Sequence, residues 1–183
     1  GANASYLSGD ITHSINNTYS TTDVQSRSKT YNAEMSALKL DFGLQSTLYL
    51  GENSLVLGGT YTPAQKLKSD TYVTDVHSVS DTTFINDAFS IAQMVTAGFT
   101  NKWEKGMIGA DVSYQRWSQA NFFGQKTGSD RIAVAAGYMF RPDEMNRNLF
   151  KRTAYRIGFN FAQPYYNMGD SKGPMQFGVS ADL

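Results

Sequence analysis

The sequence is dominated by a two-residue hydrophobic period, which is clearest in residues 38–50, LKLDFGLQSTLYL. Even positions carry Leu38, Leu40 and Phe42, whereas Lys39 and Asp41 occupy the odd positions between them. Side chains on a β-strand point to alternate faces, so this stretch is typical of a strand with one uncharged face and one charged face. This period excludes an amphipathic helix here, because a helix repeats every 3.6 residues.

The same alternation returns along most of the chain and predicts about eight strands. It is clear in residues 108–115, 131–141, 155–162 and 175–183, and weaker in residues 5–15, 54–63 and 90–100. Polar connections separate these stretches, and consecutive strands joined in this way are expected to pair antiparallel. The sequence therefore predicts an all-β, antiparallel fold formed by a single domain over residues 1–183.

The connections alternate between long and short. Long polar segments at residues 16–32, 66–89 and 118–130 alternate with the shorter GENS (51–54), NKWEKG (101–106) and RPDEMNRNLFKR (141–152). Outer-membrane barrels have this asymmetry, with short periplasmic turns and long external loops. The pattern predicts an up-and-down transmembrane β-barrel, complete in this chain or part of a larger barrel.

Composition narrows the function classes. The chain has no Cys, which excludes disulfides and thiolate metal sites, and its 16 basic residues equal its 16 acidic residues. A balanced charge argues against general nucleic-acid binding, which needs a clustered positive surface. The longest apolar stretch, residues 132–140, is far shorter than the ~20 residues of a membrane helix, whereas a tilted membrane strand needs only about 9–11.

Charged residues in the middle of the predicted strands are candidates for the lining of a hydrated lumen. The interior of a membrane barrel is polar, and charges of both signs can pair there. Their expected role is structural, because ion pairs would stabilise the lining of the lumen. The alternative role is control of permeability. The candidate luminal charges are Lys39, Asp41, Asp111, Arg131, Arg156 and Asp182.

A soluble β-sandwich would also alternate, so a second interpretation stays open. In a sandwich the uncharged faces form a packed core between two sheets, and the charged faces meet water. A small barrel that transports nothing is a related alternative. In either case the long loops would bind a partner. The expected contact residues are then Phe84, Phe122, Phe123, Tyr165 and Tyr166.

Four segments together carry a family resemblance: LKLDFGLQSTLYLGENSLVLGGTYTPAQKLKSD, GADVSYQRWSQANFF, DRIAVAAGYMFRPD and AYRIGFNFAQPYYN. They resemble the C-terminal part of outer-membrane proteins of the long-chain fatty acid transporter type (FadL/OMPP1/TodX) in the form found in Bacteroidetes. The resemblance implies passive uptake of hydrophobic small molecules such as fatty acids through a porin-like barrel of a Gram-negative cell. It also implies an outer-membrane location after removal of a signal peptide.

The closing stretch MQFGVSADL alternates as well, with Phe177, Val179 and Leu183 on its uncharged face. The resemblance implies that this is the strand by which the barrel assembly machinery recognises the protein. The expected partners are thus the lipid bilayer, that machinery and a hydrophobic ligand.

Catalysis, a metal site and a cofactor are not expected. The two histidines, His13 and His77, stand far apart, and no serine nucleophile motif accompanies a pairing of His77 with Asp75. The ligand clusters that metal sites need and the glycine runs that hold phosphates are both missing from the sequence.

Overall fold

The computed structural model describes residues 1–18, 27–76, 80–86, 88–143, 145, 147–168 and 171–183. One large antiparallel sheet contains most of the strands. Its strands are β1 (Ala2–Asn17), β2 (Arg27–Leu50), β3 (Asn53–Thr62), β5 (Lys68–Val76), β6 (Ser80–Ile85), β8 (Met94–Trp103), β9 (Gly106–Gln115), β10 (Arg131–Phe140), β11 (Tyr155–Ala162) and β14 (Gln176–Asp182).

Short elements decorate the connections of this sheet. The two-residue strands β4 (Gln65–Lys66) and β7 (Ser90–Ile91) pair with each other, as do β12 (Asn167–Met168) and β13 (Ser171–Lys172). A 3-10 turn at Trp117–Gln119 follows β9, and a single helical turn, α1 (Leu149–Arg152), precedes β11.

The sheet is built from eight passes of the chain, in sequence order. Phe42 of β2 pairs with both Ala2 and Tyr61, so β1 lies along one edge of β2 and β3 along the other. β5 pairs with the part of β2 that β1 also pairs with, which places β3 and β5 end to end along one pass. β6 pairs with β5 and β8 pairs with β3, so β6 and β8 also lie end to end and form the next pass.

The predicted all-β, antiparallel class and the up-and-down order are therefore confirmed. The sheet, however, is a half-barrel: within the described residues β1 pairs only with β2 and β14 only with β11, and the barrel is not closed. The eight predicted strands all occur in this open sheet, as β1, β2, β3, β8, β9, β10, β11 and β14.

The lower half of the sheet, which contains β3, β8, β9, β10, β11, β14 and residues 37–50 of β2, has two chemically different faces. Cross-strand partners share a face, and one row runs through Leu44, Gly59, Ala97, Val112, Val134, Phe161 and Phe177. We call this the apolar face and the opposite one, which carries Asp41, the charged face. Large exposed side chains on the apolar face are Leu38, Phe42, Leu44, Leu57, Tyr61, Val95, Phe99, Ile108, Val112, Tyr114, Ile132, Tyr138, Ile157, Phe159, Phe177 and Val179.

The apolar face is not a protein core. Every large side chain just named is at least one-third exposed, and the buried apolar residues of the described chain are few and mostly alanines. A β-sandwich would bury this face against a second sheet at interior packing density. Within the described residues, the large sheet has an uncovered apolar face and therefore does not have the sandwich architecture.

Above the lower half, the sheet continues as an upper extension formed by residues 8–17 of β1, residues 27–36 of β2, β5 and β6. Here the two faces exchange polarity. The continuation of the apolar face carries Ser28, Thr30, Asn32 and Glu34, whereas the continuation of the charged face carries a small hydrophobic core around Ala33. β2 therefore passes between two environments at about residue 37.

This exchange explains where the loop predictions were wrong. Residues 16–32 were expected to form a loop, but β2 begins at Arg27, and residues 66–89, also expected to be a loop, contain β5 and β6. In residues 27–36 the polar side chains occupy the even positions, which are the apolar positions in residues 38–50. This change of phase makes the segment resemble a polar loop in the sequence.

A tight approach between strands occurs at Gly106, the first residue of β9. A Cβ atom there would lie 2.7 Å from the carbonyl oxygen of Met139 and 2.6 Å from Cζ2 of Trp103. The Gly106→Ala variant is expected to lower the free energy of unfolding by about 1–3 kcal/mol, because backbone must move to admit the methyl group. Urea titration of the refolded full chain measures this change.

Gly137 supplies the matched control for that variant. A Cβ atom at Gly137 would lie 3.9 Å from its nearest neighbour, the carbonyl oxygen of Ile157. Gly137→Ala should leave the urea midpoint unchanged or slightly raised. Equal destabilisation by both substitutions would contradict the steric explanation.

Candidate functional site

The charged face of the lower half brings the six predicted luminal charges onto one surface. Asp41 lies opposite Thr62, Arg131 opposite Gln115, and Asp111 opposite Gly98 and Ala135. Arg156 and Asp182 are direct cross-strand partners. The function of this face as the lining of a lumen stays a prediction.

Four of the six charges form ion pairs. Nζ of Lys39 lies 2.9 Å from Oδ2 of Asp41, whose other oxygen accepts a hydrogen bond of 2.6 Å from the Thr62 hydroxyl. Arg156 donates to Oδ2 of Asp182 at 2.7 Å. Arg156 and Asp182 face each other across strands, where opposite charges stabilise a sheet modestly, whereas Lys39 and Asp41 are neighbours along the same face of β2. Both pairs fit the expected structural role.

Glycines between the charges keep the middle of this face flat. Oδ1 of Asp111 occupies the space that a side chain at Gly98 would need, and the amide of Asn160 does the same above Gly178. Small residues leave an open groove of about 580 Å³ here. The groove is lined by Gly43, Gly58, Gly59, Thr60, Thr96, Gly98, Thr100 and Asp111, among others.

The charged face is covered at the upper extension by a cap made of residues 63–67, 88–93, 116–130 and 163–168. Backbone hydrogen bonds join these segments: Leu67 N donates to Phe89 O at 3.1 Å, and Gly124 N donates to Ala88 O at 2.9 Å. Ser129 N donates to Tyr165 O at 2.8 Å. Connections that are distant in sequence therefore form one ordered layer.

Phe89 is the centre of the cap, with only 5% of its surface exposed. Its ring lies 4.8 Å from that of Phe123 and 5.6 Å from that of Phe122, both edge to face. The cluster rests on Ala33 and Met35 of the upper extension. In the upper extension, the continuation of the charged face is thus covered by the apolar side chains of the cap.

The predicted partner-contact residues divide into three groups. Phe122 and Phe123 belong to the cap cluster, and Tyr165 packs against Trp117 at 5.2 Å and Tyr166 at 5.6 Å. Phe84 lies apart from them on the outer, polar face of β6 and is 77% exposed. The aromatic loop residues are therefore mainly internal contacts of the cap, with Phe122, Tyr165 and Tyr166 also partly exposed.

Asp130 fastens the cap to β9 and was not singled out from the sequence. Its Oδ2 accepts from the Tyr114 hydroxyl at 2.6 Å, and its Oδ1 accepts from Ser118 N at 3.0 Å. Hydrogen bonds from Ser118 and from Tyr114 hold the pKa of this loop carboxylate below its ordinary value. A lone aspartate in a polar loop gives no sign of such partners in the sequence.

The Asp130→Asn variant is expected to loosen the cap at neutral pH by about 1 kcal/mol, since the bonds to a charged acceptor are weakened. The wild-type contribution is full above the unfolded-state pKa of about 3.9 and is lost as the pH falls through the lower folded-state pKa. Hydrogen exchange of residues 117–130 in both proteins measures this. A difference that persists unchanged at pH 2 would contradict the assignment to the ionised carboxylate.

The residues of the predicted assembly strand are all exposed. Phe177 and Val179 of β14 pair with Phe161 and Phe159 on the apolar face, and Leu183 follows the strand. Recognition of this strand by assembly factors stays a prediction.

Within the described ranges, no group of three or more His, Asp or Glu side chains could hold a metal ion. No helix among the described residues is long and apolar enough to cross a membrane. His77 lies outside the described residues, so its pairing with Asp75 stays untested.

Comparison with known proteins gives one family. A family model described as BamG matches residues 1–181. No curated protein and no solved structure matches the chain.

This match corrects the resemblance to fatty acid transporters. The interpretation as a member of the FadL type is wrong, and with it the inferred uptake of fatty acids and the porin-like transport role. Alternating strands and alternating loop lengths are common to many outer-membrane proteins, because they follow from the bilayer and not from a transported ligand. The transport function was implied only by the resemblance, and the strand pattern alone does not support it.

Proposed function

The chain belongs to the BamG family, and we propose from this that it is a component of the barrel assembly machinery at the outer membrane. The proposal takes up the alternative of a protein that binds a partner and does not transport. The single observation that carries it is the family match over almost the whole chain. The sheet supplies two further lines of support.

The apolar face supports placement of the lower half within a bilayer. On β2, apolar side chains occupy most of this face from Leu38 to Leu50, a rise of about 40 Å at ~3.3 Å per residue. At the ~45° tilt of membrane strands, this corresponds to a height of about 28 Å, near the ~25 Å of an outer-membrane apolar band. Tyr61 and Tyr114 lie towards its upper edge, and Trp103 and Tyr138 towards its lower edge.

The cap supports a role other than passage of a solute. Phe89, Phe122 and Phe123 occupy the inner side of the upper extension, where a route along the charged face would continue. A hydrogen-bonded layer of four segments would have to open for a solute to move along that face. We therefore assign the cap the role of a structural closure whose exposed surface is available to a partner.

Purification of the full-length protein from native outer membranes in mild detergent tests the proposal. A tagged copy is expected to co-purify with the barrel-forming subunit of the assembly machinery, identified by mass spectrometry. Depletion of the protein should reduce the fraction of heat-modifiable, folded outer-membrane proteins. An equally tagged, unrelated outer-membrane barrel is the control for nonspecific capture.

Two results would overturn the proposal. One is an absence of assembly subunits from the purified material together with unchanged folding of outer-membrane proteins after depletion. The other is a primary defect in the uptake of a hydrophobic solute while assembly is normal.

A further inference from the structure

The connection between β10 and β11, at the short-turn end of the sheet, exposes apolar side chains between basic ones. Leu149 and Phe150 of α1 are 65% and 77% exposed. Arg147 before them and Arg152 after them are also exposed. Exposed leucine and phenylalanine next to each other are unusual at a surface that meets only water.

Hydrogen bonds hold this segment in a defined conformation. The side chain of Asn148 accepts from Phe150 N at 3.0 Å, and the Thr153 hydroxyl donates to Leu149 O at 2.7 Å. Arg141 N donates to Lys105 O at 2.8 Å, which joins the connection to the β8–β9 turn. The two apolar side chains are therefore presented by an ordered turn.

The position of α1 relative to the apolar face is set by Tyr155. Its hydroxyl donates to Phe150 O at 2.7 Å, and Tyr155 itself pairs with Phe140 at the lower end of the apolar face. The helical turn thus lies at the rim where that face ends. Leu149 and Phe150 extend the apolar surface beyond the strands.

We infer that residues 147–152 anchor the protein in the phospholipid headgroup layer at the short-turn end of the sheet. Leu149 and Phe150 enter the boundary between headgroups and acyl chains, and Arg147 and Arg152 bind lipid phosphates. This inference rests on the proposed placement of the lower half in the membrane. It adds a lipid-binding site that lies outside the strands.

A lipid partner accounts for both parts of the segment. Apolar and aromatic side chains are favoured at the headgroup boundary, and arginines there keep their charge next to phosphate. The rim position makes the segment continuous with a surface already assigned to lipid. Phe84 is equally exposed and lies on the continuation of the apolar face in the upper extension, where polar side chains such as Glu34 and Asp70 separate it from the apolar face itself.

The chain has no cysteine, so single labels can be placed without other changes. We propose to attach an environment-sensitive fluorophore to Phe150→Cys, with Phe84→Cys as the matched control and Val112→Cys as a marker of the apolar face. Each full chain is reconstituted into phosphatidylcholine vesicles without a quencher, with a quencher on the lipid headgroup, and with a quencher midway along the lipid acyl chain. Quenching at position 150 is expected to exceed that at position 84 by about twofold or more.

The arginine contribution is tested in the same labelled protein. The double substitution Arg147→Gln and Arg152→Gln should reduce quenching at position 150, while circular dichroism stays unchanged. Quenching that is insensitive to the double substitution would overturn the phosphate contact.

The outcomes separate this inference from the proposed function. Quenching at position 112 by the acyl-chain quencher, without quenching at position 150 by the headgroup quencher, overturns the anchor and leaves the membrane placement intact. Quenching at none of the three positions by either quencher overturns the membrane placement itself. Protection of position 150 from aqueous iodide only after assembly subunits are added would show a protein-docking segment and overturn the lipid anchor.

Discussion

The Val112→Arg variant is expected to lose about 2–4 kcal/mol of folding free energy in lipid vesicles, the cost of a basic side chain near the middle of a membrane strand. Val112 lies in the central row of the apolar face and is 46% exposed. At an exposed site in water the same change would alter stability by no more than about 0.5 kcal/mol. The size of the effect therefore distinguishes lipid from water around this face.

Ser113→Arg is the matched control, because Ser113 is the next residue of β9 and lies on the charged face. That substitution should be tolerated, since the arginine can remain hydrated. Heat-modifiable gel mobility and urea titration in vesicles measure both variants. If both variants unfold at the same urea concentration, the apolar face does not meet lipid.

The Phe89→Ala variant is expected to destabilise the cap by about 3–5 kcal/mol, the usual cost of removing a buried phenylalanine side chain. Phe89 fills the space between the upper extension and Phe123, so its loss leaves a cavity that the hydrogen-bonded segments of the cap cannot easily close. Hydrogen exchange of residues 88–93 and 117–125 reports the local effect. Urea titration shows whether the lower half unfolds with the cap.

Phe84→Ala is the control for Phe89→Ala. Phe84 is 77% exposed, so its removal should change stability by less than about 0.5 kcal/mol. Increased exchange only in the cap segments would show that the cap opens independently of the sheet. A Phe89→Ala protein as stable as the Phe84→Ala protein would contradict the packing described for the cap.

The lower half of the sheet could be predicted from sequence because each of its strands has one apolar side. Residues 38–50 and 131–140 show this directly, and both are strands in the structure. The six charges could be placed on one face for the same reason, since a strand's alternation fixes the face once the register is set. The alternation could not predict whether the sheet closes into a barrel, because closure depends on the curvature of the sheet.

The upper extension and the cap could not be predicted in the same way. Along residues 27–36 the outward positions are polar and the inward ones are mixed, so the segment resembles a loop although it pairs on both edges. Phe89 and Phe123 meet only after two long connections fold towards each other. Such contacts depend on tertiary structure and produce no periodic pattern in the local sequence.

The long strand β2 also has a consequence for the fidelity of folding. A slip of one residue along β1 would move Lys39 and Asp41 to the apolar face and, in the same step, turn Tyr31 and Met35 away from the cap. The two halves of one strand therefore disfavour the same misalignment for different reasons: the lower half would bring charges onto the apolar face, and the upper half would remove apolar side chains from the cap. The lower and upper halves of β2 therefore each favour the observed register with β1.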